Sequence, residues 1–264
     1  MFSWQYFGTA ILPYYFYTEL NRHFNPSEAS DPSIPFLQAK ALLPAAAIAF
    51  LHPYRMVYFQ PSSLTVSQQQ SFIAIYQLGP FICYALVAAF VNFLSSDHKD
   101  ETIHAANADV PWIKGTYAAF GLFSGVTHLS VLRVVMLSKD PSVSLASIFV
   151  PRIAKIWRAD AVESLFVEES LFFLQWDFIL VVLAGSIYVT RISEVTVGLG
   201  DGESWLGFRS ALMVFSYGIA CVMLGPGAVI SAVLYLREDF LRKQYAEKVE
   251  RDSVHGEGIM NGKP

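Results

Sequence analysis

Residues 164–188 constrain the fold most, because they form one nearly continuous apolar run that is long enough to cross a lipid bilayer. Crossing the hydrocarbon core takes about 20 predominantly apolar residues in a helix. The run nevertheless carries Glu168 and Glu169 near its start and Asp177 about a third of the way in. A carboxylate at membrane depth costs about 2.5–3.5 kcal/mol on insertion scales, so it must face protein or water or keep its proton. A carboxyl group that keeps its proton is also a potential general acid.

The other apolar runs predict a polytopic membrane protein. Residues 2–17 form a shorter run, interrupted by Pro13, which fits either a helix or half of an interfacial hairpin. Charged residues make up 15% of the chain, against about 25% in soluble domains. Four further runs are near the length of a membrane helix: residues 37–59, 71–94, 116–137 and 210–236.

We therefore expect an all-α fold, a polytopic membrane helix bundle of about six transmembrane helices. The last helix should be kinked or broken, because Gly225-Pro226-Gly227 interrupts its backbone hydrogen bonding. Freed carbonyl groups at membrane depth must face protein or a wet cavity, so this break should line a cavity facing the helix of Asp177. Residues 1–240 would form the bundle, and residues 241–264 would form a polar, disordered cytosolic tail.

The distribution of basic residues predicts the orientation of the bundle. With six spans, the connecting segments alternate between the two sides of the membrane. One side has more basic residues and holds Arg152, Arg158 and Arg242. The other side has fewer and holds Lys114 and Arg191. Both termini then fall on the richer side, which is cytosolic under the positive-inside rule. We predict an integral protein of the endoplasmic reticulum with both termini in the cytosol.

Charge and motifs exclude several classes of function. The net charge of -4 gives no reason to expect a nucleic-acid partner. The sequence has no DDxxD, HExxH, paired CxxC, P-loop or GxGxxG motif, so we expect no metal and no cofactor. Cys83 and Cys221 both lie in apolar runs, which predicts free, buried thiols. Proton-initiated chemistry on a substrate dissolved in membrane lipid stays open.

Three residues are candidates for acid–base chemistry. Asp177 fits either a general acid among aromatic residues or a structural group bonded to a neighbouring helix. Glu169 lies about two helical turns before Asp177 and could exchange protons with it, although favourable charge at a helix N-terminus also explains Glu169. His128 either positions a proton or bonds another helix. Gly121 and Gly125, on the same run, form a small-residue face for close helix packing.

Four residues are candidates for binding a substrate: Tyr76, Gln77, Trp176 and Arg133. Gln77 places an amide inside an apolar run, where it bonds either a substrate or another helix. Arg133 either extends its charge to the membrane surface or pairs with Asp177 or Glu169. Trp176 is either an aromatic face that stabilises a cation or a lipid-facing aromatic residue.

Several short motifs together resemble one family of fungal integral-membrane proteins, the terpene cyclases of the ascofuranone and macrophorin type, which act in meroterpenoid biosynthesis. The similarity extends from about Pro13 to Leu241. It also implies that relatives carry further membrane helices upstream. The motifs are Tyr76-Gln77-Leu78-Gly79-Pro80, Thr127-His128-Leu129, Leu174-Gln175-Trp176-Asp177 and Gly225-Pro226-Gly227.

The resemblance implies cyclisation of a farnesyl chain attached to an aromatic or polyketide head group. The reaction would begin with protonation of an epoxide or a terminal olefin and would need no metal. Asp177 would then be the acid, and Glu169 or His128 would supply or return protons. The alternative from another class is a non-catalytic transporter or receptor-like protein of the same composition. A transporter more often shows an internal repeat, which this sequence lacks.

Overall fold

The structure is a computed structural model that describes residues 31–58, 63–97, 107–140, 143–151, 162–196 and 208–260. All regular structure within these ranges is helical, which confirms the predicted all-α fold. A π-helical turn, Ala47–Leu51, joins the first two helices. The helices are α1 (Phe36–Ala46), α2 (His52–Tyr58), α3 (Val66–Gln77), α4 (Gly79–Asp97), α5 (Val110–Leu137), α6 (Leu145–Phe149), α7 (Val162–Thr196), α8 (Phe208–Leu224) and α9 (Pro226–Met260).

Three helical segments of the described residues are long and apolar enough to cross a membrane: Phe36–Tyr58, Val110–Leu137 and Leu171–Ser193. They correspond to the predicted runs at residues 37–59, 116–137 and 164–188. The predicted first run, residues 2–17, lies outside the described residues. The count of six spans is therefore not confirmed, and two of the predicted spans differ from a straight crossing.

The predicted span at residues 71–94 is bent. Helices Val66–Gln77 and Gly79–Ser95 meet at 69°. Pro80 has no N–H to donate within the helix, and it disfavours helical geometry in the residue before it. A new helix therefore begins at this point, and the amides of Phe81 and Ile82 donate to the Leu78 carbonyl at 3.0 and 3.1 Å.

The described residues divide into two compact units, drawn from residues 30–117 with 238–264 and from residues 118–237. In the second unit the predicted last span, residues 210–236, is two helices separated by Gly225. Gly225 has a φ of +90°, which suits glycine at a helix C-terminus. Pro226 then occupies the first position of α9, where its missing N–H is not needed.

The chain reverses direction at Gly225, as the neighbours of α7 show. Along α8, the Tyr217 hydroxyl lies 2.7 Å from Ser193 Oγ, and the next residue, Gly218, faces Ser186. Helix α8 thus runs antiparallel to α7.

Helix α9 runs the other way along α7. Ile230 packs against Gly185, and Val233 and Leu234 pack against the buried pair Tyr188 and Ile192. The predicted break is confirmed, and it produces a helical hairpin instead of a kinked crossing.

Helices α5 and α9 pack closely through small residues. A Cβ placed on Gly121 would lie 2.9 Å from Ser231 Cβ, and one on Gly125 would lie 3.5 Å from Ala228 Cβ. Since rising numbers on α5 meet falling numbers on α9, the two helices are antiparallel in this unit. The predicted packing face of Gly121 and Gly125 is confirmed.

The first unit is closed by buried ionic groups. Arg242 Nη2 lies 2.7 Å from Asp109 Oδ2 and 2.8 Å from Glu238 Oε1, and all three side chains are buried. Lys114 Nζ lies 2.7 Å from Asp239 Oδ2. These contacts contradict the six-span threading, which placed Lys114 and Arg242 on opposite sides of the membrane. Helix α9 also continues to Met260, through the residues where a disordered tail was expected.

Candidate functional site

The candidate site in the second unit includes the backbone carbonyl of Val222, which has lost its usual helical donor. In a regular helix the amide of residue 226 would donate to the carbonyl of Val222, but Pro226 has no amide hydrogen. His128 Nε2 lies 2.8 Å from this carbonyl oxygen. A carbonyl oxygen only accepts, so Nε2 carries the hydrogen and donates it. His128 thereby replaces the bond that proline removes.

The imidazole that makes this hydrogen bond packs with two phenylalanine rings. The imidazole of His128 stacks on Phe178 with ring centroids 6.1 Å apart and planes 6° apart. Phe149 lies 6.3 Å from His128 and 5.1 Å from Phe178, centroid to centroid. We name His128, Phe149 and Phe178 the aromatic cluster. The faces of such rings stabilise a cation by up to about 2 kcal/mol each when water is excluded.

Short helix α6 positions Phe149. Ser144 and Ser147 form a reciprocal cap at the start of α6. Gln175 Nε2 donates to the Ser147 carbonyl at 2.8 Å, and Gln175 is buried. Because residues three apart share a helix face, Gln175 and Phe178 hold α6 and Phe149 from the same side of α7.

Asp177 stands next to the aromatic cluster on α7. It is partly buried, and it lies about 100° round the helix from Phe178. The structure thus brings His128 against the residue that follows Asp177. Phe173 and Leu174, four and three residues earlier, share the side of α7 that carries Asp177. They are 58% and 61% exposed, so Asp177 lies on a side with the apolar surface expected of a membrane-facing helix.

The structure does not place the other predicted residues of this unit in the aromatic cluster. Glu169 is exposed, whereas Asp177 is partly buried, and about 12 Å along α7 and 80° around it separate the two residues. Trp176 is 44% exposed and makes an edge contact with Phe172 at 6.3 Å. Arg133 is exposed. Helical spacing allows a common groove for Glu169 and Asp177, and their shared role in proton exchange stays a prediction.

Tyr76 and Gln77 lie in the first unit, at the end of α3. Both are exposed, and the Tyr76 ring packs edge-on against Phe50 at 6.2 Å. They stand immediately before the bend at Gly79. A Cβ on Gly79 would approach Phe50 Cε1 to 2.6 Å, so the bend depends on the absence of a side chain there.

Sequence reasoning placed Phe178 among the aromatic residues around Asp177, but it missed the contact of Phe178 and Phe149 with His128. The freed Val222 carbonyl was predictable from Pro226, and His128 was already a candidate for bonding another helix. Among many aromatic residues, however, no local pattern distinguishes the two that meet an imidazole. In the described residues, no group of three or more His, Cys, Asp or Glu side chains is placed to hold a metal ion.

Residues 2–242 match the CtvD domain, which is nearly the whole chain. The chain belongs to the CtvD domain family. The match runs through α5, α7, α8 and the first half of α9, so it includes the aromatic cluster and Asp177. No solved structure matches the chain.

Curated relatives of this CtvD-domain chain include two fungal proteins named terpene cyclase DEP1. The one from Fusarium langsethiae is 27% identical over 247 residues, covering 88% of this chain and 65% of that protein. The one from Alternaria brassicicola is 24% identical over 253 residues, with the same two coverages of 88% and 65%. The chain thus spans 65% of the length of these two relatives. The resemblance to fungal terpene cyclases is confirmed.

A third relative has a different name. It is the FAD-dependent monooxygenase verC1 of Penicillium polonicum, 27% identical over 258 residues. The match covers 93% of this chain but 28% of that protein. Most of that protein therefore lies outside the similarity.

Proposed function

We propose that this protein is a membrane-bound terpene cyclase that closes rings on the farnesyl chain of a meroterpenoid precursor. The observation that carries the proposal is the similarity to two proteins named terpene cyclase over 88% of the chain. The substrate would be a farnesylated aromatic or polyketide molecule dissolved in the membrane of the endoplasmic reticulum. The apolar helices around the aromatic cluster suit a substrate of this kind.

The proposed reaction is an isomerisation started by a general acid. Asp177 donates a proton to the oxygen of a terminal epoxide, or to a carbon of the terminal olefin. The C–O bond or the π bond breaks, and the electron pair of the next double bond attacks the carbon that becomes cationic. The final cation loses a proton to a base, so the product has the mass of the substrate. We assign to Glu169 the role of the base that accepts this proton and returns a proton to Asp177, which restores the acid.

Aromatic rings would stabilise the cation during ring closure. Phe178 follows Asp177 directly in the chain and stacks against His128. About 100° of helix separates the two side chains, so Phe178 would meet the cation as it moves along the substrate away from Asp177. Trp176 would shield the cation and orient the head group. The proposal also keeps Tyr76, Gln77 and Arg133 as substrate-binding residues.

The test is conversion of a defined substrate by microsomes that contain the full chain. A farnesylated phenol is supplied in two forms, with a terminal olefin and with a terminal epoxide. We expect one form to give a cyclic isomer of equal mass and different retention time. EDTA should not reduce the rate, because the sequence has no motif for metal-assisted ionisation. Asp177→Asn should lower the rate by about 10²-fold or more at equal protein level.

A matched carboxylate control distinguishes the acid from its neighbour. Glu169→Gln removes an exposed carboxylate on the same helix, and it should lower the rate less than Asp177→Asn does. A wild-type rate per molecule of Asp177→Asn protein would remove Asp177 from the role of acid. Saturable binding of both substrate forms without any isomer would favour the non-catalytic transporter or receptor-like alternative.

A further inference from the structure

We infer that His128 is a positioning residue, which holds the α8–α9 turn in place through the Val222 carbonyl, and that it is not a proton carrier of the reaction. The sequence had placed His128 among the catalytic candidates. The structure gives its side chain a different task, because its donor hydrogen is already bonded to the main chain at 2.8 Å.

The Val222 carbonyl needs a hydrogen-bond donor from outside its own helix. Pro226 leaves this oxygen without its helical donor, at a turn between two apolar helices. A backbone polar group without a partner in an apolar surrounding costs several kcal/mol. His128 Nε2–H supplies the missing bond from helix α5, 94 residues away in the chain. Releasing that hydrogen to a substrate would leave the carbonyl without its donor, which argues against proton transfer by Nε2.

The rest of the His128 imidazole is also held by its neighbours. A Cβ on Gly225 would lie 2.9 Å from His128 Cβ, 3.1 Å from its Cγ and 3.5 Å from its Nδ1. The side chain of His128, with its Nδ1 edge, therefore fills the space that a side chain on Gly225 would occupy. One ring face is stacked on Phe178. Gly225, Val222 and Phe178 together fix the orientation of the imidazole.

The contacts of His128 with Val222, Gly225 and Phe178 also affect the reaction, an inference that rests on the proposed function. The same imidazole bonds the turn and stacks on Phe178, the residue next to the proposed acid. A shift of the turn would therefore move Phe178 relative to a bound substrate. Displacement of a reacting geometry by about 1 Å can reduce a rate by about 10²-fold. His128 would thus influence the rate without exchanging a proton.

Two substitutions separate the donor from the ring. His128→Gln keeps an N–H donor of similar reach, whereas His128→Phe keeps an aromatic ring and removes the donor. For a positioning role we expect His128→Gln to retain most of the cyclisation rate with an unchanged pH profile. His128→Phe should lower kcat by about 10²-fold. Equal losses in both variants at wild-type protein level, with a limb of the pH profile removed, would overturn the inference.

The tautomer of His128, measured by NMR, tests the hydrogen bond to Val222 without requiring the cyclisation reaction. In protein labelled with ¹⁵N-histidine, the signal that disappears in His128→Gln identifies His128. We expect the neutral tautomer with hydrogen on Nε2, and the tautomer with hydrogen on Nδ1 would overturn the inference.

Thermal stability tests the His128–Val222 hydrogen bond independently of the proposed function. In detergent, His128→Gln should melt close to the wild type and His128→Phe should melt at a lower temperature. The reverse order would contradict a structural role for this hydrogen bond. If wild-type protein makes no cyclic isomer, the proposed function fails, while the tautomer and the melting order still decide the positioning role.

Discussion

The guanidinium of Arg242 lies 2.7 Å from the carboxylate of Asp109, although 133 residues separate them in the chain. Arg242 also contacts a second carboxylate, that of Glu238, at 2.8 Å. The backbone amide of Ile34 donates to Asp109 at 2.9 Å. Burial by itself would lower the pKa of Arg242, but its hydrogen bonds to Glu238 and Asp109 outweigh burial and raise that pKa. Arg242 therefore stays charged and ties α9 to the start of α5.

Removing Arg242 should destabilise the protein strongly. Arg242→Ala leaves two buried carboxylates without their cation, and breaking a buried pair in this way costs about 3–5 kcal/mol. The measurement is the melting temperature of purified protein in detergent. Lys243→Ala is the matched control, because Lys243 is 79% exposed and its pair with Glu247 is 3.9 Å long. Similar melting temperatures for the two variants would show that the buried pair contributes little.

The ion pairs also change the predicted topology. Asp239 and Arg242 contact Lys114 and Asp109, at the beginning of α5. If α5 crosses the membrane, the residues after Arg237 lie on the side where α5 begins, opposite the connection that follows α5. The side of α5's beginning is then the richer in basic residues, which makes it cytosolic under the positive-inside rule. The connection containing Arg152 and Arg158 is now expected in the lumen, not in the cytosol.

Engineered glycosylation sites test this topology in microsomes. Lys155→Asn with Trp157→Thr creates an acceptor site in the connection after α5, and we expect it to be glycosylated. Glu250→Asn with Asp252→Thr creates one in α9, and we expect it to stay unmodified. Modification of the α9 site alone would invert the orientation, and modification of both sites would contradict the shared side of Lys114 and Asp239.

Two glycines should respond to alanine in opposite directions. A Cβ on Gly79 would lie 2.6 Å from Phe50 Cε1 and 3.3 Å from the Ala49 carbonyl oxygen. Gly79→Ala should therefore destabilise the bend by about 1–3 kcal/mol. Gly115, within α5, has no atom within 4 Å of such a Cβ, so Gly115→Ala should stabilise the helix by up to about 1 kcal/mol. Melting temperatures in detergent compare them, and a stabilising Gly79→Ala would contradict the close contact.

Phe178 should affect the products as well as the rate. Phe178→Leu keeps an apolar side chain but removes the aromatic face, and losing about 2 kcal/mol of cation stabilisation corresponds to about a 30-fold lower rate. We expect more products of early termination, detected by chromatography and mass spectrometry. Phe173→Leu is the control, because Phe173 is 58% exposed on the same helix. Equal effects of the two substitutions would remove the aromatic cluster from the reaction.

The sequence by itself determined the class of fold and the places where helices end. Long apolar runs specify membrane helices whatever their neighbours are, because backbone hydrogen bonds must close within each helix. Gly225 with Pro226 specifies a break for a local reason as well, since proline removes a donor and glycine accepts a positive φ. The packing face of Gly121 and Gly125 is equally local, because residues four apart share one helix side.

The tertiary structure alone decided where the chain goes after each break and which groups meet there. Composition shows that α8 and the first part of α9 are apolar, but a kinked crossing and a hairpin are both compatible with these apolar runs. The partner of the Val222 carbonyl lies 94 residues away, and that of Asp109 lies 133 residues away. Such pairs depend on how helices pack, which no local pattern encodes. The same packing brings His128 to the Val222 carbonyl, and from this contact we infer a positioning role for His128.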